Sequence, residues 1–182
     1  GLDRLVCYRF DSRTGWLTKD DWQDIPGLPG QGVRHGVFSA DGTRLYVMTE
    51  MTAQVNVYRY DPASGAAELA QTCDTAARAA GALGAAIRLH PSGNWLYVSV
   101  RGADVLVRFC IGADGLLREP QCTASGGKIP RDFDLTPDGQ FLLAANQDSD
   151  SLCVFEIDTE GALHPRGCCD TPIGACTVLH IL

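Results

Sequence analysis

The chain has 182 residues, 45% of them hydrophobic and 20% charged, with a formal net charge of −7. That length fits one domain with a sizeable core, and no segment approaches the ~18 consecutive apolar residues of a membrane helix. The acidic balance excludes a general nucleic-acid surface, which needs a basic face, and leaves an anion site only where the few cations are gathered.

Taken from the N-terminus, residues 1–24 read as the last two strands of an incomplete repeat. Leu5-Val6-Cys7-Tyr8-Arg9-Phe10 is the first, Arg13-Thr14-Gly15 the turn, and Trp16-Leu17-Thr18 the second. Three complete repeats follow at 34–75, 85–125 and 131–171, aligned on the dipeptides Asp41-Gly42, Ser92-Gly93 and Asp138-Gly139. The aligned glycines are 51 and 46 residues apart, a spacing typical of propeller blades. Each repeat parses into strands A to D. Strand A (Gly36–Ser39, Ile87–Leu89, Phe133–Leu135) runs into the aligned turn, a hairpin signal. Strand B follows as Leu45-Tyr46-Val47, Leu96-Tyr97-Val98 or Phe141-Leu142-Leu143. Strand C alternates with period two, as in Val55-Asn56-Val57-Tyr58, and a second glycine turn leads to strand D. Ala76–Gly84 is an Ala/Gly-rich insertion read as a loop with room for one helical turn, and 175–182 reads as a closing strand A.

The expected fold class is therefore all-β: propeller blades of four antiparallel strands, three complete and partial ones at both ends. Three and a half blades do not close a ring, and open sheet edges invite association. The chain is expected to be part of a longer propeller, with self-association through the open edges as the alternative.

The eight cysteines, at 7, 73, 110, 122, 153, 168, 169 and 176, form no Cys-x-x-Cys pair, so no metal is expected. Several lie in apolar runs, as Cys110 and Cys153 do, and there read as small buried hydrophobes; unpaired thiols in strand cores favour the cytoplasm. His90 and His164 read as turn and strand residues, and the tryptophans as packing.

The start of strand A and the end of strand B share the rim that opens onto the central channel. Eight residues before each aligned glycine stand Arg34, Ala85 and Arg131; eight after stand Glu50, Arg101 and Gln147. Packing favours one residue type at a repeated position, so differing charged residues there mark a site. His35, Asp132, Asn146 and Lys128 lie beside them. Arginine forks suit carboxylate or phosphate oxygens, and Glu or His serves as base or acid. The bland alternative is a solvated rim of paired charges.

These residues carry a resemblance. Val33-Arg34-His35 resembles the Pro-Arg-His motif of the lactonase-type propellers, and Tyr46-Val47-Met48-Thr49-Glu50 their Asn-Glu strand end. Ser99-Val100-Arg101-Gly102 resembles their Asn-Arg-Gly, and Gly127-Lys128-Ile129-Pro130-Arg131-Asp132-Phe133 with Ala145-Asn146-Gln147-Asp148-Ser149 their last full blade. The resemblance implies a seven-bladed propeller of which this chain is roughly the C-terminal half. It implies one of two activities, hydrolysis of 6-phosphogluconolactone or cycloisomerisation of carboxymuconate. In the latter a proposed Arg and Glu match Arg34 and Glu50 in spacing, a further Arg matches Arg101, and a His comes from an earlier blade. The departures are Ala86, where members often carry an acid, and Val100, where they carry Asn.

The leading expectation is a lactonase acting on a phosphorylated sugar lactone without cofactor. Glu50, His35, Arg34 and Arg101 are assigned to catalysis, and Arg131, Lys128, Asn146 and Gln147 to substrate binding. The expected partner is a small anion, not a nucleic acid or a membrane. The alternatives are a lactonising cycloisomerase using the same residues, and a non-catalytic binding propeller. The repeats lack the Gly-His and Trp-Asp pairs of WD40 blades, though their Leu-Tyr-Val strands resemble those of surface-layer propellers.

Overall fold

A computed structural model describes residues 3–19, 24–77, 80–175 and 177–178. Three four-stranded antiparallel sheets succeed one another along the chain, each a simple meander. Blade I holds β5 (Val33–Phe38), β6 (Arg44–Thr49), β7 (Gln54–Tyr60) and β8 (Ala67–Asp74). Blade II holds β9 (Leu83–Leu89), β10 (Trp95–Arg101), β11 (Val105–Ile111) and β12 (Leu117–Ala124). Blade III holds β13 (Pro130–Leu135), β14 (Phe141–Asn146), β15 (Ser151–Ile157) and β16 (Leu163–Asp170). The inner strands β5, β9 and β13 pack side by side, as propeller geometry requires.

The N-terminal segment is the C–D half of a blade. Here β1 (Arg4–Leu5) pairs with β4 (Ile25–Pro26), and β2 (Tyr8–Asp11) with β3 (Trp16–Lys19). Its turn repeats that of blade I: Gly15 and Gly65 lie at φ 76° and 73°, and each donates its N–H to the carbonyl of an Asp four residues back. A left-handed residue closes this turn, which is why the sequence carries glycine there.

Strand A is longer than its apolar run suggests, because it includes the polar rim residues. The Ala/Gly-rich insertion ends in strand at Leu83 and Gly84, and its other described residues (76, 77 and 80–82) are not helical. The expected closing strand falls largely outside the described residues; 175, 177 and 178 are in no strand, although the Val178 N–H donates to Asp132 Oδ2 (3.2 Å).

The core lies between sheets. Tyr46, Tyr58, Tyr97, Phe109, Phe133 and Phe155 are fully buried, each worth roughly 1.5–3 kcal/mol relative to exposure. The tyrosines also hydrogen-bond to neighbouring blades. Tyr46 Oη donates to Gly115 O (3.0 Å) and Tyr97 Oη to Gly161 O (2.7 Å), each reaching the C–D turn of the next blade. His90 is a turn residue as expected, but it too bridges blades, with Nε2 3.0 Å from Gly139 O.

The reading of every strand cysteine as an unpaired thiol is corrected at one place. Cys153 and Cys168 face each other across β15 and β16 and form a disulfide. The sequence shows two cysteines in separate strands, and only the register puts them opposite. Cys7, Cys73, Cys110, Cys122 and Cys169 are free thiols.

Candidate active site at the channel rim

The rim residues stand where they do because strand A carries a bulge in each blade. Thr49 pairs with Val33 while Met48 pairs with His35, leaving Arg34 as the extra residue. Asn146 pairs with Pro130 and Ala145 with Asp132, leaving Arg131. In blade II, Val100 pairs with Gly84 and Val98 with Ile87, so the irregularity covers Ala85 and Ala86. A bulge bends the strand and re-aims the side chain of the unpaired residue. The two arginines thus leave the plane of the sheet at the rim.

Glu50 and Arg101 are brought together across the blade I–II junction. The Gly84 N–H donates to Glu50 O (2.8 Å), and Arg101 Nη2 donates to Gly84 O (3.0 Å). The same nitrogen donates to Glu50 Oε1 in an ion pair. Gly84 has to be glycine, because a Cβ there would collide with the Thr49 carbonyl. The Arg101 side chain is 10% exposed and the Glu50 side chain 38%, so the pair is half sunk into the wall. Arg101 Nε is buried without a partner among the described residues, a donor held in reserve.

The electrostatics confirm a cluster. The Arg101 hydrogen bond holds the Glu50 carboxyl below its usual range, partly opposed by burial, with Arg101, Arg34 and Arg131 adding to the effect. Burial, then the charge of Arg101, lowers Arg34, which also feels Glu50, Arg131 and Asp132. His35 is lowered by burial, then by Arg34 and Arg88. Arg34 Nη1 lies 3.1 Å from His35 Nδ1. A guanidinium only donates, so Nδ1 accepts and the neutral ring carries its proton on Nε2. Arg131 Nη1 donates to Gln147 Oε1 (3.1 Å), reaching from strand A to the turn that follows β14.

Arg34, His35, Glu50, Arg101, Arg131 and Gln147 therefore form one assembly, and two expected members do not join it. Asn146 is fully buried, with Nδ2 donating to Ser125 O (3.2 Å) inside the blade, so its assignment to substrate contact is corrected to a structural one. Alternation explains this: Asn146 is the last paired residue of β14, and its side chain falls on the packed face. Lys128 is exposed, and its backbone is tied to the loop after β14 through Ser149 Oγ (2.9 Å). No group of three or more His, Cys, Asp or Glu among the described residues is placed to hold a metal, Asp148 and Asp150 included.

Sequence reasoning missed Arg88. It donates through Nε to Asp134 Oδ1 and through Nη2 to Asp132 Oδ1, both at 3.1 Å, joining the inner strands of blades II and III. It sits five residues before the aligned glycine, where blades I and III carry Val37 and Asp134, and the same register comparison extended inward would have found it.

The rim gathers Arg34, Arg101 and Arg131 about the Glu50 carboxylate, with the neutral His35 imidazole beside them and Arg88 paired to Asp132 and Asp134. The profile of the family described as Lactonase, 7-bladed beta-propeller matches residues 1–178. A 6-phosphogluconolactonase from Sodalis glossinidius is 35% identical over 169 residues, 90% of this chain and 50% of that protein. A crystal structure of a Lactobacillus plantarum protein superposes with a TM-score of 0.87 at 33% identity, covering 96% of this chain and 51% of that one. The periplasmic gluconolactonase of Pseudomonas aeruginosa superposes with a TM-score of 0.83 at 33% identity, covering 95% and 49%. The chain spans about half the length of the curated relatives it matches. It belongs to the seven-bladed β-propeller lactonase family.

Proposed function

We propose that the protein to which this chain contributes hydrolyses a phosphorylated sugar lactone in carbohydrate metabolism, as the name of its Sodalis relative states for that protein. The observation that carries the reading is the gathering of Arg34, Arg101 and Arg131 around Glu50 in an acidic protein. Arg34 and Arg131 hydrogen-bond only to neutral side chains among the described residues, so their charge is available to an anion. Arg101, whose guanidinium meets Glu50 at the rim, is suited to the oxyanion that forms when water adds to the lactone carbonyl.

Proton transfer divides between two groups. Glu50 is ionised at neutral pH, which suits it to hold Arg101 and orient water. His35 is neutral there, and its Nδ1 lone pair becomes free once Arg34 turns to the substrate anion. The imidazole then takes the proton of the attacking water, and the ring C–O bond breaks with that proton returned to the leaving oxygen. Replacing Glu50→Gln in the intact propeller is expected to lower kcat at least about tenfold with folding unchanged; near-normal turnover would remove Glu50 from the mechanism.

We further infer action in the cytoplasm, supported by the free thiols Cys7, Cys73, Cys110, Cys122 and Cys169; recovery from the cytosolic fraction on cell fractionation tests it. Among the described residues no helix is long and apolar enough to cross a membrane.

A further inference from the structure

The three blades carry one cross-strand pair in three chemical versions. In blade I it is Asn56 opposite Thr72, joined by a hydrogen bond from Thr72 Oγ1 to Asn56 Oδ1 (2.9 Å). In blade II it is Val107 opposite Cys122, an apolar contact. In blade III it is Cys153 opposite Cys168, joined covalently. Each pair abuts the connector that enters its own blade. Asn56 Nδ2 donates to Gln31 (2.7 Å), Cys122 Sγ lies 3.6 Å from Thr75 O, and Cys168 Sγ 4.0 Å from Gly126 O. Noncovalent pairs satisfy this position twice, so packing does not require the bridge.

A second feature accompanies the bridge. The connector residue after Thr75 is Ala76, and the one after Ser125 is Gly126, both at positive φ (57° and 79°). A Cβ on Gly126 would lie 2.7 Å from Cys153 Sγ and 3.1 Å from Cys168 Sγ. Alanine is accepted at this left-handed position in the other junction, so conformation alone does not demand glycine at 126. The missing methyl makes room for the bridged sulfurs. Two separate thiols need more room than one bridge, since unbonded sulfurs sit at van der Waals distance. Opening the bridge therefore presses on residues 125–129, which carry Lys128 and lead into Arg131.

We propose that Cys153 and Cys168 are a redox latch that fastens the connector 125–129 beneath the channel rim and is released by a dithiol. Cys168 is exposed and Cys153 is 1% exposed, which decides the direction of attack. A dithiol's thiolate attacks Cys168 Sγ, the S–S bond breaks, and Cys153 leaves as a thiolate that takes up a proton. The second thiol of the reagent then displaces Cys168, leaving two cysteine thiols and one oxidised, cyclic reagent. Oxidation by a disulfide of the same class reverses the exchange.

The test uses the intact protein purified without reductant. Alkylation of the unfolded protein and peptide mapping should find Cys153 and Cys168 joined, and excess dithiothreitol should release both thiols while the fold persists by circular dichroism. Hydrogen exchange at the Lys128 and Ile129 amides, which donate to Ser149 Oγ and Asp104 Oδ1, should quicken at least fivefold on reduction. Cys153→Val, which installs the blade II pairing, should exchange at one rate with or without dithiothreitol. Finding both cysteines alkylated before reduction, or equal exchange in the two redox states, would overturn the latch. Neither readout involves lactone turnover, so failure of the latch and failure of the lactonase reading are separate results.

Discussion

Arg101 and Glu50 both hydrogen-bond to the backbone of Gly84, and the chemistry of the rim starts from that arrangement. A lysine at 101 would keep the charge but lose the planar guanidinium that carries Nη2 to both Glu50 and the Gly84 carbonyl. Arg101→Lys is expected to lower kcat at least about tenfold in a turnover assay. Glu50 also makes a prediction about pH. Its carboxyl titrates below the ordinary 4.5, so its contribution to stability is present above that value and is lost as pH falls through the lower, folded-state value. Denaturant midpoints of the parent and Glu50→Gln should converge as pH drops from 5 toward 3; an advantage that persists unchanged would contradict the ion pair. Arg34, Glu50, Arg101 and Arg131 were legible in the sequence because repeats allow positions to be compared at fixed distance from a turn. Asn146 lies inside the blade because one residue of register moves a side chain from rim to interior, and Lys128 stands in a connector, which has no register to count.

At the scale of the element, the blades were legible and their irregularities were not. Apolar runs, glycine turns and Leu-Tyr-Val strands located the sheets. The strand A bulge at Arg34 and Arg131 has no compositional mark, since neither position is glycine, and it emerges only from the pairing. The disulfide is the same kind of information: which cysteine faces which is a fact of register. Blade-to-blade packing depends on hydroxyls reaching turn carbonyls, and Tyr97 is the buried case. Tyr97→Phe leaves the Gly161 carbonyl without this donor and is expected to cost about 1–3 kcal/mol, read as a lower urea midpoint at unchanged slope. An unaltered midpoint would show that the contact contributes nothing.

At the scale of the molecule, the family is seven-bladed and this chain provides three complete blades and part of another. The partial blade displays Tyr8, Phe10, Trp16 and Leu17 at exposures of 57–73%, and exposed apolar surface of this kind favours association. We propose that the chain on its own self-associates through its open edges. Sedimentation equilibrium should give a mass above the 19.5 kDa of the monomer, rising with concentration; a strict monomer would contradict this. The proposed activity is hydrolysis of a phosphorylated lactone at the arginine mouth of the whole propeller. Its most direct test is proton release from 6-phosphogluconolactone in a pH-stat, with the full-length protein and its Arg34→Gln/Arg131→Gln double variant. Hydrolysis well above the spontaneous rate is expected for the parent, with a loss of at least about a hundredfold in kcat/KM for the folded variant. A folded parent that does not accelerate the reaction, or a variant as fast as the parent, would contradict it.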